Sequence, residues 1–332
     1  MITPVILLIT NDVPKDMGRS PRTLIASMLV VLMLLSGCTS PDVDQPVLIG
    51  EELEGVENPC SQPTEPLAQS NTILNVGGVD RMFRLSIPSS DAGTELPILL
   101  AFHGEDMAEE EFPQQASFDA LGEEHGFIMA YAVSEQGRTA AEGDWFLNTA
   151  ATSADDIDFA SAIVDALSNT YCVDQTRLYA TGYALGSMLT YEIACQLNNR
   201  FAAVASVAGT MPIEPDRCTM VSQVAVMHIH GKFDFVVDYD EDWDWDEGEH
   251  EGVGTMSSVL GLIDGWAVTA DCQQRDSHYH MDVEHVVHSD CSENVLIEHH
   301  GIEFHGHNWP DQVAGVETPE VIWEFLNQFS RA

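Results

Sequence analysis

The chain has 332 residues, 45% of them hydrophobic, which is enough for one large folded domain behind an N-terminal leader. It carries 12 lysines and arginines against 54 aspartates and glutamates, a formal net charge of -42. This excludes nucleic acid as a partner, because binding phosphates requires clustered cations. The charge favours a solvated acidic coat, and a specific role in cation binding is the alternative.

The N-terminal segment has the composition of an export signal. Arg19 and Arg22 precede the apolar stretch 24–35, and small residues then lead to Cys38. This order is typical of a signal peptide. The tetrapeptide LSGC at 35–38 also resembles the lipobox of bacterial lipoproteins, which implies cleavage before Cys38 and lipidation of its thiol. An ordinary signal peptide with a chance cysteine is the alternative.

Three segments follow from these signals. We expect a signal peptide over 1–37, with Met17 as an alternative start, and a lipidated acidic linker over 38–66. Residues 67–332 then form a single domain. After the first forty residues, no apolar run is long enough to span a bilayer. We therefore expect an exported protein that contacts the membrane only through its lipid, at the outer membrane if the cell is Gram-negative.

Strands and helices alternate along the predicted domain. Short apolar runs predict strands, and apolar residues at helical spacing predict helices. The predicted strands are 81–87, 97–102, 127–132, 177–181, 201–208, 224–229 and 295–297, and the helices are 155–170, 187–197, 257–267 and one after Thr318. Thr318 can cap that last helix, and Pro319 suits its first turn. This order predicts an α/β fold, a mostly parallel sheet with helices on both faces.

The most informative stretch joins a strand to a helix. Residues 178–188, LYATGYALGSM, run from an apolar strand through a tight G-x-x-x-G turn into a helix. This is the context of a nucleophile elbow, in which glycines permit a strained turn that exposes a serine. The central residue here is Ala184.

Two further loops lie where a hydrolase would place the rest of its triad. Asp234 follows the strand 224–229, and His307 follows the last predicted strand. Upstream, FHG at 102–104 ends a buried strand, where a backbone N–H can contribute to an oxyanion hole.

Together these segments resemble a known family. FHG at 102–104, ATGYALGSMLTYEIAC at 180–195, FAAVASVAGT at 201–210, HIHGKFD at 228–234 and GHNWP at 306–310 are similar to the secreted polyhydroxybutyrate depolymerase and feruloyl-esterase-like group of α/β-hydrolases. The resemblance covers about residues 70–330. It implies ester hydrolysis of polyhydroxyalkanoate-like substrates, or of feruloyl and acetyl polysaccharide esters, without a cofactor.

The resemblance assigns residues to roles. Ala184 falls on the nucleophilic serine, Asp234 on the triad acid and His307 on the triad base. The expected oxyanion donors are the backbone N–H groups of Glu105 and Leu185. The remaining candidates, expected to contact substrate, are His103, Gly104 and Trp309. For Trp309, simple packing in the core is an equally good interpretation.

Six cysteines remain after Cys38, an even number that favours three disulfides in an oxidising compartment. Spacing alone allows fifteen pairings. The family resemblance implies Cys195 with Cys218 and Cys272 with Cys291, which leaves Cys60 for Cys172.

The alanine at 184 changes the expected activity. A methyl group cannot attack a carbonyl, and losing a triad nucleophile costs turnover on the order of a million-fold. We therefore expect weak ester hydrolysis or none. Ser187 is a poor substitute, since it lies inside the helix, about one turn past the bend. Two alternatives remain: Asp234 and His307 activate a water directly, or the pocket binds esters or polymer ends as a pseudoenzyme.

Two clusters suggest metals, but neither predicts a site. The acidic run 238–251 resembles the start of a calcium loop, but Glu247 stands where glycine is needed. His278, His280, His285 and His288 lie between two cysteines without a partner carboxylate pattern, which favours surface histidines in a loop. We therefore predict no metal.

Overall fold

The computed structural model describes residues 47–48, 58–105, 107, 110–134, 145, 147, 156–215, 218–245 and 254–331. The predicted signal peptide and the lipidation site at Cys38 lie outside these ranges. No helix within the described ranges has the length and apolar character needed to cross a membrane.

One sheet of eleven strands forms the centre of the fold. In chain order its strands are β1 (Val47–Leu48), β2 (Leu67–Val76), β3 (Val79–Ile87), β4 (Leu96–Phe102), β5 (Ile128–Ala132), β6 (Val173–Tyr183), β7 (Ala203–Val207), β8 (Ala225–Gly231), β11 (Gln274–His280), β12 (Val283–Ser289) and β13 (Ile297–Ile302). Two short hairpin sheets pair β9 (Trp243–Asp244) with β10 (Thr255–Met256) and β14 (Gln312–Val313) with β15 (Val316–Glu317).

The spatial order is β1-β2-β3-β5-β4-β6-β7-β8-β13-β12-β11. The strands from β5 to β13 run parallel, whereas β3 and β12 pair antiparallel with that central block. The central strands are buried on both faces, and every residue of β4, β5, β7 and β8 is buried. This explains why they read as continuous apolar runs.

Among the described residues, six α-helices accompany the sheet: α1 (Glu111–Ala116), α2 (Phe118–His125), α3 (Asp156–Thr170), α4 (Leu185–Gln196), α5 (Val259–Thr269) and α6 (Thr318–Leu326). Helices α4 and α5 meet where Tyr191 stacks on Trp266 at a centroid distance of 5.9 Å. Helix α6 packs Trp323 against Phe127, with the ring centroids 4.1 Å apart. The α/β prediction of a mostly parallel sheet with flanking helices is confirmed.

Three disulfides link segments of this fold. Cys60 bonds to Cys172, Cys195 to Cys218 and Cys272 to Cys291. These are the pairs that the family resemblance implied. The first encloses the largest loop, because its cysteines are 112 residues apart.

Several sequence expectations differ from the structure. The predicted linker contributes β1, which pairs with β2 through Val47 and Thr72. Thr318 does not cap α6: it is the first helical residue, and its hydroxyl donates to the carbonyl of Pro310. Strands β2, β11 and β12 were not predicted.

The histidines between Cys272 and Cys291 lie on a hairpin and not in a loop. His278 and His285 are cross-strand partners on β11 and β12, and His288 is buried. Strand β11 is a continuous run of exposed and mostly polar residues, QRDSHYH, so it gives no apolar periodicity from which a strand could be predicted.

Candidate active site

Ala184 sits at a strained bend between β6 and α4. Its backbone angles are φ 49° and ψ -115°, in a region that a residue with a Cβ rarely adopts. Its N–H donates to the carbonyl of Val207 at 2.9 Å, and its own carbonyl accepts from Met188 at 3.1 Å. Hydrogen bonds made by both backbone groups of Ala184 therefore hold the bend, which has the strand–turn–helix geometry of a nucleophile elbow.

Glycines on either side of Ala184 allow the close packing that this bend needs. A Cβ on Gly182 would lie 2.2 Å from the carbonyl oxygen of Gly186. A Cβ on Gly186 would lie 2.3 Å from the carbonyl oxygens of both Phe102 and His103. The elbow and the loop after β4 are thus in backbone contact, as the position of FHG in the sequence suggested.

His307 and Asp234 form a hydrogen-bonded pair. His307 Nδ1 lies 2.7 Å from Asp234 Oδ2. Their loops meet because β8 and β13 are parallel neighbours, and the carboxyl ends of parallel strands lie at one edge of a sheet. The N–H of Phe233 also donates to the carbonyl of His305 at 2.8 Å, which joins the two loops directly.

Asp234 is held as a carboxylate. Burial of its side chain raises its pKa, but hydrogen bonds from His230 and His307 and from the N–H of Val237 outweigh burial and hold the pKa well below the usual range. The N–H groups of Val236 and Val237 donate to Oδ1 at 2.8 and 3.0 Å. A carboxylate can only accept, so Nδ1 of His307 carries a proton and Nε2 of the neutral ring has the lone pair of a base.

Tyr183 links the elbow to His307. Its hydroxyl donates to the backbone carbonyl of His307 at 3.1 Å, and the two ring centroids are 5.7 Å apart. Burial and the charge of Asp234 raise the pKa of Tyr183 to about 12, so the hydroxyl stays protonated. The residue next to Ala184 is therefore in contact with the histidine, as the predicted site requires.

A chain of buried imidazoles lies behind Asp234, and the sequence analysis missed it. His230 Nε2 is 3.1 Å from Asp234 Oδ2 and 3.1 Å from the carbonyl oxygen of Val237. His228 Nε2 is 2.9 Å from His230 Nδ1, and the hydroxyl of Tyr191 is 2.7 Å from His228 Nδ1. The two histidines alternate within the buried strand 224–229 and its end, a signal that could have revealed them.

When both rings are neutral, the acceptors that face His230 set the direction of every hydrogen bond in this chain. Only acceptors face His230 Nε2, so that nitrogen donates, and in a neutral ring Nδ1 accepts from His228. His228 in turn accepts from Tyr191. Burial, together with the neighbouring His230 and His299, lowers the pKa of His228 well below its usual value, which keeps the ring neutral. All three hydrogen bonds therefore point toward the carboxylate of Asp234.

The loop after β4 is ordered around His103. Its Nδ1 is 2.7 Å from the carbonyl oxygen of Gly104, and its Nε2 accepts from the N–H of Ser134 at 3.1 Å. Both ring nitrogens are engaged and the ring is buried. This side chain holds the loop and offers no ring nitrogen to a ligand, and its expected contact with substrate stays a prediction.

The other predicted site residues lie as follows. Gly104 and Glu105 follow β4, and Leu185 opens α4, where backbone N–H groups have no intrahelical partner. Their role as oxyanion donors stays a prediction. Trp309 is 5% exposed and packs edge-to-face on Phe112 at 5.5 Å, which favours its core-packing reading.

Burial and contacts bear on two further ideas from the sequence, Ser187 as a substitute nucleophile and the acidic run 238–251 as a calcium loop. Ser187 is fully buried and its hydroxyl is hydrogen-bonded to that of Ser206, away from any position that could attack a substrate. In the acidic run, Asp242 Oδ1 accepts from the N–H of Ser258 at 2.7 Å at the start of α5, so this carboxylate has a structural partner. Residues 246–253 of that insertion lie outside the described ranges.

Comparisons with known proteins agree with this geometry. Residues 82–286 match the family described as Esterase PHB depolymerase. A Nocardia uniformis subsp. tsuyamanensis protein with the provisional name esterase NocK is 31% identical over 185 residues, 53% of this chain and 52% of its own. Feruloyl esterase B of Piromyces equi is 26% identical over 47% of this chain and 30% of its own. The matched region thus spans about half of NocK and less of the fungal esterase.

Solved structures show the same fold. An acetyl xylan esterase from Aspergillus awamori superposes with a TM-score of 0.57 and 13% identity, covering 78% of this chain and 99% of that one. The crystal structure of native pOPH gives a TM-score of 0.54 at 13% identity, covering 80% and 88%.

Proposed function

The chain belongs to the Esterase PHB depolymerase family, and from that premise we propose that its site binds carboxylic esters but hydrolyses them weakly or not at all. The observation that carries this proposal is Ala184 in the strained bend of the elbow, beside a hydrogen-bonded pair of His307 and Asp234. The base and its orienting acid are present, but the side chain at the nucleophile position has no oxygen.

The proposed roles follow from the contacts. Asp234 fixes the ring of His307 and stabilises its charged form, and the lone pair of His307 Nε2 serves as general base. The backbone N–H groups of Leu185 and Glu105 would receive the developing oxyanion. With no serine, the nucleophile available is a water placed by His307, which lacks the positional advantage of a fixed oxygen.

We propose that the substrates are polyhydroxyalkanoate-like polyesters or acyl esters of polysaccharides. The relatives named as acetylxylan and feruloyl esterases support this class. An exposed aromatic cluster beside the pair would suit an apolar acyl chain or polymer: Phe233 is 49% exposed, Phe235 88% and Phe304 82%, and Phe233 lies within 6.2 Å of both other ring centroids.

Restoring the serine tests the site. Ala184→Ser should raise kcat/KM for short p-nitrophenyl esters by about a thousand-fold or more, because it supplies the nucleophile that the base can activate. Ala184→Gly is the matched control, since it changes the same backbone position without adding an oxygen, and it should give no gain. An Ala184→Ser variant with unchanged kcat/KM would refute the assignment of this elbow.

A second comparison separates slow hydrolysis from binding alone. If His307 activates water, His307→Ala abolishes the residual p-nitrophenyl ester turnover of the natural chain, whereas His305→Ala leaves it unchanged. His305 is the matched control, because it is a neighbouring histidine whose ring contacts the carbonyl of Asn308 and not Asp234. Retention of esters in equilibrium dialysis, with turnover insensitive to His307→Ala, would identify a pseudoenzyme.

We also propose that the chain is an exported lipoprotein anchored through Cys38. Its disulfides suit an oxidising compartment. Mass spectrometry of the membrane fraction should find an acylated N-terminal cysteine, and Cys38→Ser should release the protein from that fraction. An unmodified Cys38 would contradict the anchor.

A further inference from the structure

Two histidines and one glutamate converge on the antiparallel side of the sheet, away from the elbow in the strand order. His285 Nε2 lies 2.8 Å from Glu298 Oε1, and His300 Nε2 lies 2.9 Å from the same oxygen. One nitrogen from each ring and one carboxylate oxygen all lie within 4.8 Å of one another. From this geometry we infer that His285, Glu298 and His300 bind a divalent transition metal such as Zn²⁺.

The strand register builds the cluster. His285 on β12 is directly opposite His300 on β13, and Glu298 is two residues before His300, so all three side chains lie on one face. The two imidazole rings are stacked, with centroids 4.3 Å apart and an angle of 8° between their planes. Both rings direct Nε2 toward Glu298. The sheet therefore holds all three ligands in place without a loop.

The donor set matches the chemistry of transition metals. Two imidazole nitrogens and one carboxylate oxygen form a three-ligand set that leaves positions for water, as in zinc and non-haem iron sites. Zinc ligands at about 2.0–2.1 Å stand about 3.3 Å apart in a tetrahedral site. The distances of 2.8 and 2.9 Å are shorter, so the glutamate has to move by about half an ångström on binding.

The burial pattern of the cluster is compatible with a metal that enters from one side. The side chains of Glu298 and His300 are 13% and 9% exposed, whereas His285 is 23% exposed, which leaves an entry path.

A third histidine, His278, supports the three proposed ligands. His278 Nε2 on β11 is 3.3 Å from His285 Nδ1, the ring nitrogen that faces away from Glu298. Metal-bound histidines use their second nitrogen in this way, to fix the ring orientation. The sequence analysis found these histidines without a carboxylate because Glu298 lies on the next strand, beyond Cys291.

The test is Zn²⁺ titration of the chelator-treated full chain, followed by calorimetry at moderate salt. We expect one equivalent to bind, and Glu298→Gln to weaken that affinity by more than about 100-fold, since it removes a ligand charge. His278→Gln should weaken it by about 10–100-fold. Asp276→Asn is the charge-matched control: it removes one carboxylate from the exposed strand β11 and should leave the affinity unchanged.

A second readout excludes a folding defect. Co²⁺ bound to the natural chain should give visible absorption bands typical of low-coordinate nitrogen and oxygen ligation, and Glu298→Gln should lose them while keeping its far-ultraviolet circular dichroism. If Glu298→Gln binds Zn²⁺ as tightly as Asp276→Asn, or if binding is weak, of many equivalents and removed by salt, the acidic surface is the ligand and the inference is wrong. Because esterase activity is not the readout, the result does not depend on the proposed function.

Discussion

Gly186 occupies the point where the elbow and the loop after β4 come closest. A methyl group there would meet two carbonyl oxygens at 2.3 Å, and both belong to backbone that cannot rotate away. Gly186→Ala should therefore lower the free energy of unfolding by about 1–3 kcal/mol or more, as overpacking does. Urea denaturation measures this change.

The matched control is another helical glycine. Gly265 lies inside α5 with nothing within 4 Å of its added Cβ, so Gly265→Ala should stabilise the chain by about 0.4–1 kcal/mol. If Gly186→Ala did not lower the free energy of unfolding, the close contact between the elbow and the FHG loop would be contradicted.

Ala184 adopts a strained backbone conformation although its side chain has no oxygen for such a bend to expose. A residue held at positive φ costs about 1–3 kcal/mol. The surrounding hydrogen bonds, from Ala184 to Val207 and from Met188 to Ala184, fix this conformation without help from the side chain. Introducing serine here thus requires no rearrangement of the backbone, which is why the Ala184→Ser comparison is informative.

At the scale of elements, the central strands could be predicted from sequence and the edges could not. Strands β4, β5, β7 and β8 are apolar throughout because helices cover both faces, and composition alone reveals them. Strand β11 is exposed at every residue, so its backbone pairing with β12 leaves no apolar signal.

The site divides in the same way. Ala184, Asp234 and His307 could be placed because each follows a predicted strand in the chain order of a hydrolase. The imidazole chain behind Asp234 lies along β8 and left a local signal, the alternation of His228 and His230, whereas the cluster around Glu298 depends on which strands become neighbours. Strand neighbours are a property of the folded sheet that no local pattern carries.

Buried histidines on β8 and β13 make stability depend on pH. Burial lowers the pKa of His299 to about 3 and that of His228 well below its usual value. Below about pH 6.5 the unfolded chain takes up protons at these positions and the folded chain does not. The free energy of unfolding therefore decreases as the pH is lowered from 6.5. Each such histidine contributes about 1.4 kcal/mol per pH unit in that window.

Urea denaturation between pH 7 and pH 5 measures this slope, and it avoids the range below about pH 4 where carboxylates such as Asp234 contribute. His299→Gln keeps a donor and an acceptor for its partners, His228 and Tyr239, but does not titrate. It should make the slope shallower. An equal slope in both proteins would mean that His299 takes up a proton in the folded state.

At the scale of the whole molecule, a net charge of -42 opposes compactness. Like charges at this density repel, and the folded state brings them closer than the unfolded chain does. Salt shortens the Debye length from about 10 Å at 0.1 M to about 3 Å at 1 M and so weakens the repulsion. We expect Tm to rise with sodium chloride over this range, by about 2–4 °C for each kcal/mol of repulsion relieved.

Comparing two chlorides distinguishes screening from coordination. Tetramethylammonium is too large to fit among carboxylate oxygens but screens as well as sodium does, so diffuse repulsion predicts the same rise in Tm with either salt. A rise in sodium chloride alone would mean that acidic side chains bind cations specifically, the alternative to a solvated coat. If Tm falls in both salts, attractive pairs of exposed charges, such as the 2.6 Å bridge between Arg200 and Asp165, would outweigh the repulsion across the surface.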